Sequence, residues 1–314
     1  MRYLAALLLI FVLLLSKVDR LCLKASHRFC LHYIDVPLSY NPSWDTTLPY
    51  PAEILEQPFS YLDKGAQNFV FESQDKKYVL KLYKFPSRLR RFGWVSHPFS
   101  PFSDQKNRGL NKFQRTYNSY FLASQHLSEE TGVVYVHLNP TAHRQKIHLK
   151  DRAGHLYDLP VKSLGFVVQQ KGKPFLSTIR SAVENRETEN AKKMIAGLLG
   201  LIASDCAKGI IDLDRMNHDN YGWAHDRAIH LDIGRLTIKN DLDAHAEAVR
   251  ITHQLNEYLS ETSPELSDYY KQQLVKLRVC PQSPIRMLCG HTLKDESPLH
   301  PMSDQSPDKI APQP

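Results

Sequence analysis

Gly209-Ile-Ile-Asp212-Leu-Asp214-Arg-Met-Asn217-His218-Asp219-Asn220-Tyr-Gly-Trp223 is followed, after four residues, by Ala228-Ile-His-Leu-Asp232-Ile-Gly234. A run of acids and amides leads into one apolar segment. A second apolar segment ends on a carboxylate, with a glycine two residues later. The short spacer predicts a hairpin that returns the chain to the polar loop. An acid that accepts a hydroxyl proton and an amide that ligates Mg2+ are what phosphoryl transfer asks of such a loop. A carboxylate at a strand end can reach a metal held by phosphates. Asp and Asn also favour caps and turns, and a lone Asp-x-Gly is common. The weight lies in the order of the features.

Toward the amino terminus, Thr188 to Lys208 reads as a long helix with Met194, Leu198, Leu199 and Ile202 on one face. Before it, the polar connector Gln169 to Pro174 closes a β-rich half. Phe59-Ser-Tyr-Leu62, Asn68-Phe-Val-Phe71 and Lys77-Tyr-Val-Leu-Lys81-Leu-Tyr83 are separated by the turn sequences Asp63-Lys-Gly65 and Gln74-Asp-Lys76. They predict an antiparallel three-stranded meander. A helix over about 104–128 carries Leu110, Phe113, Tyr117, Tyr120 and Phe121 at helical spacing. Further strands start at Gly132, Leu156 and Leu164, with Asp151-Arg-Ala-Gly154 as a hairpin turn. Beyond the hairpin, helices are predicted over about 242–260 and 264–278. A β-rich half, a connector and a helical half imply two lobes with a ligand cleft between them. Lys81, flanked by apolar strand neighbours, is expected to point inward, where an ammonium needs an anion such as a nucleotide phosphate.

The 314 residues are 42% hydrophobic, enough for one sizeable domain or two small lobes with real cores. The net charge of +7 favours anionic partners. Neither zinc-finger spacing nor an aromatic RNA-binding strand is present, so no specific nucleic-acid module is expected. The five cysteines, at 22, 30, 206, 280 and 289, form no CxxC pair. Cys280 and Cys289 could bridge in an oxidising compartment, but an odd count favours unpaired thiols. Met1-Arg2 precedes an apolar run from Tyr3 to Leu15, with basic residues on both flanks. The run has signal-peptide length and is short for a membrane span. An uncleaved anchor is the expectation over residues 1–16, and a removed signal peptide the alternative. Residues 17–56 read as a linker and 281–314 as a disordered tail. Arg88, Arg90 and Arg91, beside Phe92 and Trp94, form a basic-aromatic stretch suited to an anionic membrane surface.

Over roughly residues 57–260 the chain resembles the protein kinase-like superfamily, which includes aminoglycoside and other small-molecule phosphotransferases. The resemblance implies an α+β, two-lobed kinase-like fold, with an antiparallel β-rich N-lobe (57–172) and a short helical C-lobe (173–280). It implies ATP with Mg2+ or Mn2+. Lys81 matches the phosphate-anchoring lysine, and Gly65 lies in the phosphate-covering turn. Phe166-Val-Val-Gln169-Gln170 matches the hinge strand, where backbone groups receive adenine. Asp232-Ile-Gly234 and Asn220 match the metal ligands. Asp214 matches the catalytic aspartate, with Asp212 standing where the family has histidine.

Three departures qualify the match. Asp214 to Asn220 is one residue longer than the family spacing, so Asp212 or Asp219 could hold the base role. No mid-helix glutamate is available to Lys81; Glu129 and Glu130 lie at the far end of that helix. No Ala-Pro-Glu segment follows Asp232. These departures favour a small or atypical phosphotransferase acting on an unidentified hydroxyl, or a membrane-tethered pseudokinase scaffold, over a conventional protein kinase. Asp212-Leu-Asp214 also resembles the D-x-D signature of metal-dependent glycosyltransferases. That reading predicts parallel strands alternating with helices in the first half. ATP chemistry and an uncleaved anchor together predict a cytoplasm-facing, membrane-associated domain, with export after signal cleavage as the alternative.

Overall fold

Apolar and aromatic runs broken by short polar turns build the first half of the chain, and apolar positions at helical spacing build the second. The computed structural model describes residues 29–34, 40–85, 103–214 and 220–279, all within one unit, Met1–Gln282. The expectations for the apolar run of residues 3–15, for Arg88, Arg90 and Arg91, for Cys280 and Cys289, for Asp219 and for the tail fall outside the described residues. Among the described residues, no helix is long and apolar enough to cross a membrane.

In chain order the elements begin with two short helices, α1 (Leu31–Ile34) and α2 (Ala52–Leu55). The meander follows: β1 (Phe59–Lys64), β2 (Asn68–Ser73) and β3 (Tyr78–Tyr83). Helices α3 (Ser103–His126) and α4 (Ser128–Thr131) lead to β4 (Val133–His137), β5 (Lys146–Lys150), β6 (Leu156–Pro160), β7 (Phe166–Gln170) and the two-residue β8 (Lys173–Pro174). Helices α5 (Phe175–Glu184) and α6 (Thr188–Ala207) precede β9 (Ile210–Asp212), β10 (Tyr221–Ala224), β11 (Arg227–His230) and β12 (Leu236–Ile238). Helices α7 (Ala244–Ile251), α8 (His253–Thr262) and α9 (Pro264–Val279) are the last elements among the described residues.

The fold is α+β. Seven strands form one sheet in the order β4-β7-β3-β2-β1-β5-β6, and only the β1–β5 pair is parallel. That antiparallel pattern argues against the D-x-D glycosyltransferase reading, which needs parallel strands with helical crossovers. Two small sheets, β11-β10-β8 and β12-β9, sit beyond the connector.

Three apolar clusters hold these layers. Phe59, Phe71, Leu80, Leu82, Ile147 and Phe166 fill one face of the large sheet. Met194, Ile195, Leu198, Leu199 and Ile202 of α6 meet Phe175, Ile179, Leu255 and Leu259 in an all-helical core. Between them, Tyr83, Tyr117, Tyr120, Val136, Val167, Ile210, Ile233 and Leu236 join α3 to the sheet and to β9 and β12. Each fully buried side chain of this size is worth roughly 1.5–3 kcal/mol of transfer free energy.

The described residues before Phe59 hold only short helical turns, and Phe29, Ile34, Trp44 and Leu55 among them are buried. Trp44 also donates its indole N–H to Asn118 Oδ1 at 2.7 Å. These side chains anchor the described part of the stretch to the body. The helix expected over 242–260 is two helices broken at Thr252. That residue's hydroxyl turns back to Ala248 O (2.6 Å) and meets the Tyr270 hydroxyl (2.7 Å). A buried Thr that bonds its own preceding turn and another helix bends the chain there.

Candidate functional site

The β10–β11 hairpin brings the two separated motifs together. Its turn, His225-Asp226, has φ values of 47° and 62°, the left-handed pair that tight antiparallel hairpins use. The ladder pairs Tyr221 with His230 and Ala224 with Arg227. At its open end the Asn220 carbonyl accepts from Leu231 N (2.6 Å) and Asp232 N (3.3 Å). Asn220 and Asp232 are thus neighbours because of strand register.

Asn220 is buried, and its amide donates to Asp212 Oδ2 at 2.8 Å. Asp212 is also buried, and its other oxygen accepts from Asp214 N at 2.8 Å. Both Asp212 oxygens are therefore engaged within the loop. Burial lifts its carboxyl above the usual range, against the pull of the Asp214 N–H, His230 and Asn220. Asp212 thus fixes the orientation of the Asn220 amide. Asp214 is partly exposed and lies 3.6 Å from the Arg235 guanidinium.

Lys81 points inward from β3, as its flanking residues required. Burial lowers its pKa, and the nearby Asp232 carboxylate opposes that fall. Its ammonium donates to the Leu231 carbonyl, one residue before Asp232. Asp232 is exposed and accepts from Gly234 N at 3.0 Å through Oδ1. Glu130, at the far end of α3 and α4, is bound by Ser204 and Lys208.

Gly65 is exposed in the β1–β2 turn, and a Cβ there would meet nothing within 4 Å. Gln67 makes that turn's closest approach to the site. Its Oε1 would stand 2.3 Å from a Cβ added to Gly234, and it accepts from Thr116 Oγ1 at 3.2 Å. Gln169 and Gln170 close β7, next to the connector. Gln169 lies in a strand paired on both sides, with Val79 and with Val133. Gln170 donates its N–H to Gly132 O at 2.8 Å. The Gln169 side chain donates to Thr131 O and His230 O, both at 2.6 Å.

Sequence reading missed Gln67, Ser119 and the His230–Asp205 pair. A polar residue on the apolar face of a helix was the available signal. Asp205 falls three residues beyond Ile202 on the buried face of α6, and Ser119 lies between Tyr117 and Tyr120 on α3. His230 Nε2 and Asp205 Oδ2 are 2.5 Å apart, and both residues are buried.

As metal donors, Asp232 and the oxygen of the Asn220 amide are hard ligands of the kind that hold Mg2+ alongside substrate phosphates. With the Asn220 nitrogen committed to Asp212, the amide oxygen is the atom left for such a role. Among the described residues, no three His, Cys, Asp or Glu side chains gather as a metal-binding group. An ion here would thus rely on phosphate for the rest of its coordination.

No family model matches the chain, and no curated protein matches it. Among solved structures it is similar to the bifunctional kinase-methyltransferase WbdD. In the complex of WbdD with the kinase inhibitor LY294002, identity is 13%, the TM-score is 0.34, and 70% of this chain covers 46% of that one. The 2.2 Å WbdD structure gives 12% and 0.35, with the same coverage. Rv3197 of Mycobacterium tuberculosis, in complex with erythromycin, gives 13% and 0.31, with 68% of this chain covering 55% of that one. The chain spans about half the length of these proteins. At these scores the likeness is too loose to bear on function.

Proposed function

We propose that this chain is an atypical ATP-dependent phosphotransferase of kinase-like, two-lobed fold, moving a γ-phosphoryl group to a hydroxyl acceptor. One observation carries the reading: Lys81 of β3 meets Asn220 and Asp232, the two ends of the β10–β11 hairpin, around the Leu231–Asp232 peptide. In this reading the 57–172 segment forms the upper wall of the cleft and 173–280 the lower.

Lys81 holds phosphate oxygens. Its present partner is a neutral carbonyl, so an anionic phosphate is the stronger acceptor for its ammonium. Asp232 and Asn220 would hold Mg2+, with Asp212 fixing the Asn220 amide. When bound, the metal neutralises charge on the phosphates. Asp214, the partly exposed acid of the loop, orients the acceptor hydroxyl, with the Arg235 guanidinium 3.6 Å from its carboxylate. Asp212, the alternative base, is buried against Asn220, so Asp214 is the acid this reading assigns to the acceptor. Gln169 and Gln170, at the end of β7, stand at the connector where the adenine would be received. Membrane association through the amino-terminal apolar run and Arg88, Arg90 and Arg91, with the domain facing the cytoplasm, rests on sequence alone.

A thermal-shift titration with ATP and Mg2+ or Mn2+ tests the reading. At ligand concentrations one hundred times Kd, native-state binding stabilises by about 2.7 kcal/mol. For a chain of this size that is a rise of roughly 5–10 °C in Tm. Asp232→Ala should abolish the metal-dependent part of the rise. No rise with either metal would sink both catalysis and nucleotide binding. A pseudokinase scaffold is the second reading, favoured by the absence of a carboxylate partner for Lys81 on α3. It predicts the same thermal shift with no transfer of labelled γ-phosphate, whether to water, to the protein or to added hydroxyl compounds.

A further inference from the structure

Helix α3 turns three polar side chains inward at successive helical positions, Thr116, Ser119 and Tyr120, and each touches a different piece of the site. Thr116 Oγ1 shares its proton between Lys112 O, one turn back (3.0 Å), and Gln67 Oε1 over Gly234 (3.2 Å). The Tyr120 hydroxyl donates to Asn68 Oδ1 at 2.8 Å, at the start of β2. Ser119 is buried, and its hydroxyl serves two backbone groups at once: it donates to Ile233 O at 2.5 Å and accepts from Leu236 N at 2.7 Å. A helical serine commonly spends its hydroxyl on the carbonyl one turn back. Ser119 spends it more than a hundred residues away, bracketing the peptide that follows Asp232.

We propose that Ser119 is a positioning residue for Asp232, and that the hydroxyl ladder of α3 takes the place of a lysine–glutamate ion pair in holding the helix to the cleft. The inference rests on the nucleotide reading and deepens it. Ile233 and Leu236 side chains are buried beside α3; the Ile233–Leu236 turn is tied to β9 through Leu213 N and Arg235 O (3.1 Å) and to α3 through Ser119. Loss of the hydroxyl leaves a buried carbonyl and a buried N–H without this partner, and the turn relaxes to find others. Asp232 lies one residue upstream of the tethered carbonyl and inherits the displacement. Lys81, held by the Leu231 carbonyl from the opposite wall, is less affected. Because the ladder is uncharged, its hold on the turn does not weaken with added salt as an ion pair would.

The test is calorimetric titration of the full chain with ATP in EDTA and with ATP at varied Mn2+, in wild type, Ser119→Ala, Ser119→Thr and Asp232→Ala. The expected result is that Ser119→Ala binds metal-free ATP within about twofold of wild type. Its apparent Mn2+ affinity in the nucleotide complex should weaken by about tenfold. Ser119→Thr, which keeps the hydroxyl, should restore most of that affinity, and faster amide exchange at Leu236 should accompany the alanine variant alone. Equal Mn2+ affinity in wild type and Ser119→Ala, with Asp232→Ala impaired, would overturn the positioning role and leave the nucleotide reading standing. Absence of metal-dependent binding in wild type would overturn both. Should Ser119→Ala fail to fold, Ser119→Cys, nearly isosteric and a weak donor, is read by the same criteria.

Discussion

His230 and Asp205 show how much a single buried pair can hold. Burial alone would depress the histidine's pKa, and the Asp205 carboxylate more than offsets it, so His230 binds its proton more tightly than in the unfolded chain. Stability from this pair is complete below the unfolded histidine value of about 6.5 and fades as pH rises through the higher folded value. Urea unfolding of wild type should therefore weaken from about pH 6.5 upward, whereas Asp205→Asn should show a flatter profile. At pH 6 the same substitution, which strands a buried imidazolium, should cost about 3–5 kcal/mol. Sequence gave no reason to link these two residues. His230 stood within an apolar segment, and Asp205 looked like the polar end of a helix; only the return of β11 beneath α6 joins them. Lys81 was legible for the opposite reason. Its apolar neighbours on both sides of one strand fixed its direction without any distant contact.

Among the elements, α3 is the one most tightly fitted to its surroundings. Tyr117 is fully buried with its hydroxyl unpaired. That hydroxyl would stand 1.8 Å from a Cβ added to Gly165, at the entrance to β7. Gly165→Ala should cost about 1–3 kcal/mol through overpacking. Tyr117→Phe should be neutral or slightly stabilising, because it removes a buried polar group that has no partner. Combined, the two should cost less than the sum of their separate effects, a coupling of roughly 0.5–3 kcal/mol read by a denaturation cycle. The helix itself was plain in the spacing of Phe113, Tyr117 and Tyr120, and the meander in its aromatic runs and turn dipeptides. The break at Thr252 was not visible, because it depends on Tyr270 arriving from another helix. The sheet commitments of Gln169 and Gln170 were hidden too: a strand's sequence does not say whether one edge or both will be paired.

Across the whole molecule, Gln169 spans from the large sheet to α4 and to β11 through one amide group. Gln169→Leu leaves two buried carbonyls without that donor and should lower global stability by about 1–3 kcal/mol per carbonyl left unmet. Nucleotide-dependent stabilisation should survive in this variant, since neither carbonyl belongs to Lys81, Asn220 or Asp232. Loss of the ligand effect together with the stability would mean that the two walls of the proposed cleft cannot be separated energetically. The β10–β11 hairpin has the reverse property. Asn220 and Asp232 meet at its open end, while His225 and Asp226 turn the chain at the other, and four rungs of ladder lie between. The distal tip is thus insulated from the chemistry. Peptide tags, fluorophores or natural insertions placed between His225 and Asp226 would lengthen the loop at little entropic cost, which makes this tip the natural port for a reporter.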